Sequence, residues 1–309
     1  MLTQLFHLHC SDGHQMPAYA WLPVGEPRCV LYISHGMSEY AERYAHVAAN
    51  LVTHGIAVFA HDHRAHGSAV ANIDDLGIAD ENWFYQQIED IRSMVLHLRK
   101  TYPDKKLFLF GHSMGSFILQ RFFQLYGGEI DGLVLSATNG KPDPLLPFGI
   151  ALAWVQMKMM GHRYRSLLID KLSFQQFNKA FAPNRTNHDW LSRNTAEVDK
   201  YVQDAKCGFV CNATFFYYFF KGIHDAFSLS NIKKIPTNVP IYVFAGDKDP
   251  VGFAGKGFLQ FIQKWKDAGV KDLVYKLYPE GRHEMLNDIN REEVIQDLTD
   301  WINKKVDGK

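Results

Sequence analysis

A serine flanked by two glycines stands between a strand-like and a helix-like stretch of the sequence. Residues 111–115 read G-H-S-M-G and fit the pattern G-x-S-x-G, with Ser113 at the centre. The glycines allow a sharp turn without Cβ clashes, and a helix that begins there points free N–H groups at the hydroxyl. Such a turn exposes a nucleophile. The alternative is an ordinary strand–helix turn built from small residues.

A serine nucleophile needs a general base, and the base needs an acid to orient it. His283 follows an apolar run at residues 273–279 and precedes the last helical pattern. Asp247 and Asp249 both follow the apolar run before that one, and spacing alone barely separates them. The chain order serine, acid, histidine is a known order for such a triad. We therefore predict Ser113 as nucleophile and His283 as base, with one of these aspartates as the acid.

Two backbone N–H groups are candidates for stabilising the oxyanion that forms when a carbonyl is attacked. Met114 directly follows the serine, and Met37 lies in the loop after an earlier strand-like run. These are the two places from which an oxyanion hole of this kind draws its donors. Gly36 lets the backbone approach the reacting atoms. We predict the oxyanion hole at Met37 and Met114.

Clustered histidines and paired cysteines raise the question of a bound metal. His61, His63 and His66 lie close together, but no Asp or Glu pattern around them resembles a known metal site. Cys207 and Cys211 are four residues apart, as on one face of a helix, yet two thiols alone make a poor zinc site. We expect no metal and no cofactor. The histidines are predicted to form a hydrogen-bonded loop that supports the site.

The elements that must position these residues alternate along the chain. Short apolar runs rich in β-branched and aromatic residues are separated by longer helical patterns. This alternation predicts an α/β protein with a mostly parallel sheet and helices on both faces. Such sheets place their sites at the carboxyl ends of the strands, where the residues above lie. The predicted parallel strands are 29–36, 56–62, 106–112, 132–137, 240–249 and 273–279, and the first residues read as a further strand.

Residues 138–236 break the alternation and show several helical patterns without paired strands. Because the sheet pattern resumes afterwards, we predict a helical cap, or lid, inserted into a core formed by residues 1–137 and 237–309. Two parts of the insertion are strongly apolar, at 148–160 and 209–220. Such side chains, where they face the serine, would form an acyl tunnel; facing solvent, they would dock on a membrane.

Composition limits the classes of function. The 309 residues are 47% hydrophobic, and 33 basic residues balance 33 acidic ones, so nucleic acid is not an expected partner. The first residues lack the basic n-region of a signal peptide, and no apolar run reaches the roughly 18–20 residues of a membrane span. We therefore expect a cytoplasmic protein without disulfides, with peripheral membrane contact through the cap.

Five motifs together resemble the α/β-hydrolases of the monoacylglycerol lipase and lysophospholipase group, which is also filed with serine aminopeptidase-like hydrolases. In the family's order they are HGMSEYAERY, DHRAHGSA, GHSMGS, GDKDPVG and GRHEML. The resemblance implies an α/β-hydrolase fold with Ser113 as nucleophile, His283 as base and Met37 and Met114 as oxyanion donors. It also implies Asp249 as the acid, the fourth residue of the G-x-x-D turn. Two positions depart from the family pattern, Ala65 and Ser116.

The resemblance implies a cofactor-free serine hydrolase that cleaves carboxylic esters through an acyl-enzyme. The expected substrate is a small-molecule acyl ester, a monoacylglycerol or a lysophospholipid. The same triad could instead serve an aminopeptidase, an amidase or a thioesterase, and a ligand receptor can share the fold. An aminopeptidase needs carboxylates near the site to hold a free amine. The candidates in the insertion are Asp170, Glu197, Asp199, Asp204 and Asp225.

Overall fold

The computed structural model describes residues 1–141, 143–174 and 176–308, and its centre is one eight-stranded sheet. The strand order is β1-β2-β4-β3-β5-β6-β7-β8. The first two strands pair antiparallel, β2 also pairs antiparallel with β4, and the remaining neighbours are parallel. The strands are β1 (Leu2–His9), β2 (Gln15–Leu22), β3 (Cys29–Ser34), β4 (Ile56–His61), β5 (Lys106–His112), β6 (Gly132–Ser136), β7 (Ile241–Gly246) and β8 (Leu273–Tyr278).

Helices cover both faces of the sheet, as the alternation of the sequence predicts. Leu107 and Leu109 of β5 pack into the core on one face, whereas Phe108 and Phe110 pack into the core on the other. Strands buried on both faces must be apolar at every position, which explains the unbroken runs. The α-helices are α1 (Ala45–Thr53), α2 (Trp83–Thr101), α3 (Met114–Tyr126), α4 (Leu146–Met159), α5 (Leu167–Ser173), α6 (Thr195–Gln203), α7 (Ala213–Phe227), α8 (Leu229–Ile232), α9 (Lys256–Asp267) and α10 (Arg291–Val306).

Three local features differ from the sequence predictions. The helix expected from residue 39 begins as a short 3-10 turn at Ala41–Tyr44, and α1 starts only at Ala45. Cys207 lies in the turns after α6 and Cys211 just before α7, so the two thiols do not share a helix face. Strand β2 was not predicted.

The interval 138–236 contains α4 to α8, although residues 142 and 175 of it lie outside the described residues. Its last long helix, α7, packs on the core helices. The Phe215 ring of α7 stacks on Trp83 of α2 with centroids 4.1 Å apart. The division into core and cap stays a prediction. Within the described ranges, no helix has the length and apolar character required to cross a bilayer.

Candidate active site

Ser113 occupies a strained turn between β5 and α3. Its backbone has φ 50° and ψ −116°, a conformation that side chains other than glycine rarely adopt. A Cβ on Gly111 would lie 2.7 Å from the carbonyl oxygen of Gly115, and a Cβ on Gly115 would overlap the carbonyl oxygen of Ser34. The flanking glycines are therefore needed for this close packing, as the G-x-S-x-G pattern predicts. The turn places Ser113 at the carboxyl end of β5 and at the N-terminus of a helix.

His283 and Asp249 meet at the ends of two neighbouring strands. The His283 Nδ1–H donates to Asp249 Oδ1 at 2.9 Å, and both side chains are buried. Asp249 is also fixed by the Val251 N–H, at 3.0 Å. Burial by itself would lower the pKa of His283, but the Asp249 carboxylate outweighs it and raises this pKa above its usual value. Asp247 instead lies beside Lys248, so the structure pairs His283 with Asp249 rather than with Asp247.

The predicted oxyanion donors are the N–H groups of Met37 and Met114. Both residues border cavities that also reach Ser113. Within the described residues, neither N–H donates a hydrogen bond to a backbone or side-chain acceptor, so both are free for a ligand. Gly36 lets this loop lie close to the Glu39 side chain, because a Cβ at position 36 would be only 2.6 Å from Glu39 Oε1.

The loop that carries Met37 is held by hydrogen bonds between Ser38 and residues 201–209. The carbonyl oxygen of Ser38 accepts hydrogen bonds from the Tyr201 hydroxyl and from the Gly208 N–H, each at 3.0 Å. The Ser38 hydroxyl donates to the carbonyl of Phe209 at 2.8 Å. Ser38 itself has φ 54°, so these bonds stabilise a backbone conformation that costs free energy. Tyr201, Gly208 and Phe209 thus hold the loop that carries Met37 in place.

Buried histidines also form hydrogen bonds with the loop that carries Met37. His35 Nδ1–H donates to the carbonyl of Gly36 at 2.7 Å, and its Nε2 accepts the His63 N–H at 2.9 Å. His66 Nε2 accepts the Ser38 N–H at 3.2 Å. Burial lowers the pKa of His35 and that of His66 to about 3, so both rings are neutral near pH 7. These histidines form a hydrogen-bonded support, and no metal-holding group of His, Cys, Asp or Glu occurs within the described residues.

A buried charge cluster, which sequence reasoning missed, joins the segment after Met37 to the loop that carries His283. Arg43 donates to Glu39 Oε2 at 2.5 Å and forms two hydrogen bonds with Glu284, at 2.8 and 3.0 Å. Glu39 Oε1 in turn accepts the Gly36 N–H at 2.5 Å. Burial alone would raise the pKa of Glu284, but Arg43 lowers it to about 2. The i, i+4 spacing of Glu39 and Arg43 was the one sequence signal for this cluster.

Two cavities meet at Ser113 and differ in character. The polar cavity measures about 220 Å³ and also borders His283, Glu39 and Glu284. The apolar cavity measures about 490 Å³ and lies between α3, α7 and the first helices of the insertion. Its apolar walls include Met114, Phe117, Leu145, Phe148, Leu152, Ile169, Leu172, Phe219, Ile223 and Phe227.

A serine on a strained strand–helix turn, a buried His–Asp pair and two free N–H groups on this sheet define a serine hydrolase of the α/β-hydrolase fold. The family model described as serine aminopeptidase, S33 (Hydrolase_4) matches residues 25–290, and the chain belongs to this family.

Relatives and a solved structure agree with that class. The monoglyceride lipase of Homo sapiens is 27% identical over 295 residues, which cover 92% of this chain and 88% of that protein. The monoacylglycerol lipase of Mycolicibacterium smegmatis is 27% identical over 285 residues, or 91% and 90% of the two chains. A thermostable carboxyl esterase from Bacillus coagulans, solved in complex with glycerol, superposes with a TM-score of 0.90 at 27% identity, covering 99% of both chains. The present chain is a serine ester hydrolase that acts on a small-molecule ester.

Proposed function

We propose that this chain hydrolyses monoacylglycerols through an acyl-enzyme on Ser113. The observation that carries the proposal is the pair of cavities that meet at this serine. The apolar cavity suits an acyl chain, and the polar cavity suits the glycerol that leaves. The relatives named monoglyceride and monoacylglycerol lipase support the same substrate.

The proposed mechanism uses Ser113, His283, Asp249 and the two free N–H groups. Ser113 Oγ attacks the ester carbonyl while His283 takes its proton, and the N–H groups of Met37 and Met114 stabilise the oxyanion. The imidazolium then gives the proton to the glycerol oxygen as that bond breaks. Water attacks the acyl-enzyme with His283 again as base, which releases the fatty acid and restores the serine. Asp249 holds the Nδ1–H tautomer throughout.

In this proposal, residues 138–236 act as a cap over a core of residues 1–137 and 237–309. Helices α4 and α5 of the cap supply walls of the apolar cavity. Large apolar side chains on the same helices, and Leu145 just before α4, are exposed. These exposed apolar side chains lie beside the proposed acyl cavity. They suit peripheral contact with a lipid surface, from which the substrate would enter. The exposed side chains are Leu145, Phe148, Trp154, Val155, Met159, Leu167, Leu168 and Leu172.

The proposal is tested by comparing 1-octanoylglycerol with the arylamide of proline, since the family description names aminopeptidases. We expect hydrolysis of the glycerol ester and no comparable cleavage of the arylamide. For glycerol esters from acetate to octanoate, kcat/KM should rise by up to a few-fold per methylene, because each buried CH₂ contributes about 0.8 kcal/mol. Preferred cleavage of the arylamide, or a flat chain-length profile, would contradict the proposal. So would failure of a fluorophosphonate probe to label Ser113, which would instead favour a receptor.

A further inference from the structure

Helix α5 contributes side chains to both cavities, and one of its carboxyl groups lines the polar one. Ile169 and Leu172 line the apolar cavity, whereas Asp170 lines the polar cavity together with Ser113 and His283. Of the five carboxylates of the insertion that the sequence analysis named as candidates, Asp170 is the one that lines this cavity in the described part of the chain. The other four lie elsewhere, and each has a partner: Glu197 with Lys200, Asp199 with Arg185, Asp204 with Tyr40 and Asp225 with Tyr85.

Asp170 differs from the other two carboxyl residues of the polar cavity because it has no partner. Glu39 and Glu284 both bind Arg43. The Asp170 carboxyl forms no hydrogen bond and no ion pair within residues 1–141, 143–174 and 176–308, and burial raises its pKa with no opposing cation. A partly buried carboxyl without a partner costs free energy, which is recovered when a hydrogen-bond donor binds it.

The charge of the polar cavity is negative. Three lining residues carry a carboxyl group, Glu39, Asp170 and Glu284, and none of the lining residues is a lysine or an arginine within the described ranges. One guanidinium, that of Arg43, lies behind the wall and neutralises part of this charge. Like charges repel strongly where water is scarce. A head group with a phosphate would be opposed here, whereas hydroxyl donors would be accepted.

We propose that Asp170 determines the specificity for the alcohol part of the substrate: it accepts a hydrogen bond from a glycerol hydroxyl and rejects phosphate-bearing head groups. This inference rests on the proposed function and narrows it, because it separates monoacylglycerols from anionic lysophospholipids. Asp170 does not take part in the chemical step. Its effect is confined to substrates whose alcohol part enters the polar cavity.

Three octanoyl esters test this role: 1-octanoylglycerol, 1-octanoylglycerol 3-phosphate and ethyl octanoate, which has no hydroxyl on its alcohol part. In Asp170→Asn, an isosteric amide without charge, the preference in kcat/KM for the glycerol ester over the phosphate ester should fall about tenfold. In Asp170→Leu, kcat/KM for the glycerol ester should fall about tenfold through KM. Both variants should leave ethyl octanoate within about twofold of the native chain.

The matched control is Asp199→Asn, an exposed carboxylate of the same insertion, which should change none of the three rates. An unchanged preference in Asp170→Asn, or equal losses on all three esters, would overturn the role of Asp170 while leaving the proposed function in place. If the native chain cleaves ethyl octanoate but not 1-octanoylglycerol, both proposals fail. Thermal unfolding of each variant identifies a folding defect, and the isosteric Asp170→Asn keeps the test decisive if Asp170→Leu does not fold.

Discussion

Ser113 carries backbone strain that its proposed chemistry explains. Its φ of 50° and ψ of −116° suit glycine, and such a conformation costs about 1–3 kcal/mol in other residues. We expect Ser113→Gly to be more stable than Ser113→Ala by about 1 kcal/mol in the free energy of unfolding. Both variants should lose activity by a factor on the order of 10⁴ to 10⁶. Urea unfolding and ester hydrolysis measure the two effects, and activity near that of the native chain in either variant would exclude Ser113 as nucleophile.

Asp249 and Asp247 give a matched pair of variants two residues apart. Asp249 Oδ1 accepts the Nδ1–H of His283, whereas Asp247 contacts Lys248 near the surface. An asparagine at 249 would favour the wrong imidazole tautomer, so Asp249→Asn should lower kcat about 10⁴-fold. Asp247→Asn should lower it less than about tenfold. A larger loss in Asp247→Asn than in Asp249→Asn would show that the acid is misassigned.

The pH dependence of the reaction should follow the titration of His283. The base acts in its neutral form, and Asp249 and Glu284 raise the pKa of His283 above the ordinary 6.5 despite burial. We therefore expect kcat/KM to fall as the pH drops through an apparent pKa above 6.5. In Glu284→Gln one negative charge near the ring is lost, so this acid limb should move to lower pH. The exposed Glu280→Gln serves as control, and an acid limb that stays in place or moves upward in Glu284→Gln would contradict the argument.

The site residues differ in how far sequence could identify them. Ser113 lies in a local motif, and His283 follows from chain order, so the sequence alone is enough to propose both. Spacing did not separate Asp249 from Asp247, because the turn after β7 decides which carboxylate reaches His283. The pairing of Arg43 with Glu284 joins residues 241 apart in the chain, and no local pattern reports such a contact.

At the scale of elements, the parallel strands were predictable because burial on both faces leaves continuous apolar runs. Strand β2 was missed although it too is buried, because its composition is not typical of a strand. It contains Pro17 and no β-branched residue, which lowers its strand propensity. Pairing with β1 on one side and β4 on the other stabilises it, and those contacts are set by the tertiary fold.

The coupling between α6 and the oxyanion loop, as we call the loop of the proposed donor Met37, can be tested at Tyr201 of this helix. Its hydroxyl donates to the carbonyl of Ser38, one residue after Met37. In Tyr201→Phe the loop loses one of its holding bonds, which should lower the free energy of unfolding by about 1 kcal/mol. A small displacement of the Met37 N–H should lower kcat by about tenfold without a matching change in KM.

The control for this prediction is Tyr275→Phe, a half-exposed tyrosine on β8 away from the loop, which should change neither quantity. Steady-state kinetics and urea unfolding together decide the role of Tyr201. If Tyr201→Phe loses stability while its kcat equals that of the native chain, Tyr201 is structural and does not position the oxyanion loop.

At the scale of the whole molecule, the exposed apolar side chains of α4 and the proposed catalytic residues lie at the same edge of the sheet. The carboxyl ends of β5, β7 and β8 carry Ser113, Asp249 and His283, and α4 contributes both to the cavity wall and to the exposed surface. The opposite edge, where the strands begin, includes the loop before β3 with Val24. A lipid surface in contact with α4 would therefore face the route to the serine.

This arrangement predicts that lipid binding can be weakened without damage to the reaction. Trp154 and Met159 of α4 are 48% and 77% exposed, and neither borders the apolar cavity. Since surface binding scales with the apolar area buried, Trp154→Glu combined with Met159→Glu should lower partitioning onto phosphatidylcholine vesicles about tenfold or more. Hydrolysis of soluble glycerol butyrate should remain at the native rate.

Val24→Glu is the matched control for this surface, because Val24 is 96% exposed at the opposite edge of the sheet. A charge there should leave vesicle binding unchanged, since only the edge near α4 is expected to touch lipid. Sedimentation with vesicles measures the partitioning, and the butyrate assay confirms that each variant is folded. Equal vesicle binding by the native chain and the α4 double variant would show that the exposed side chains of α4 serve another purpose. The acyl substrate would then have to reach Ser113 from solution.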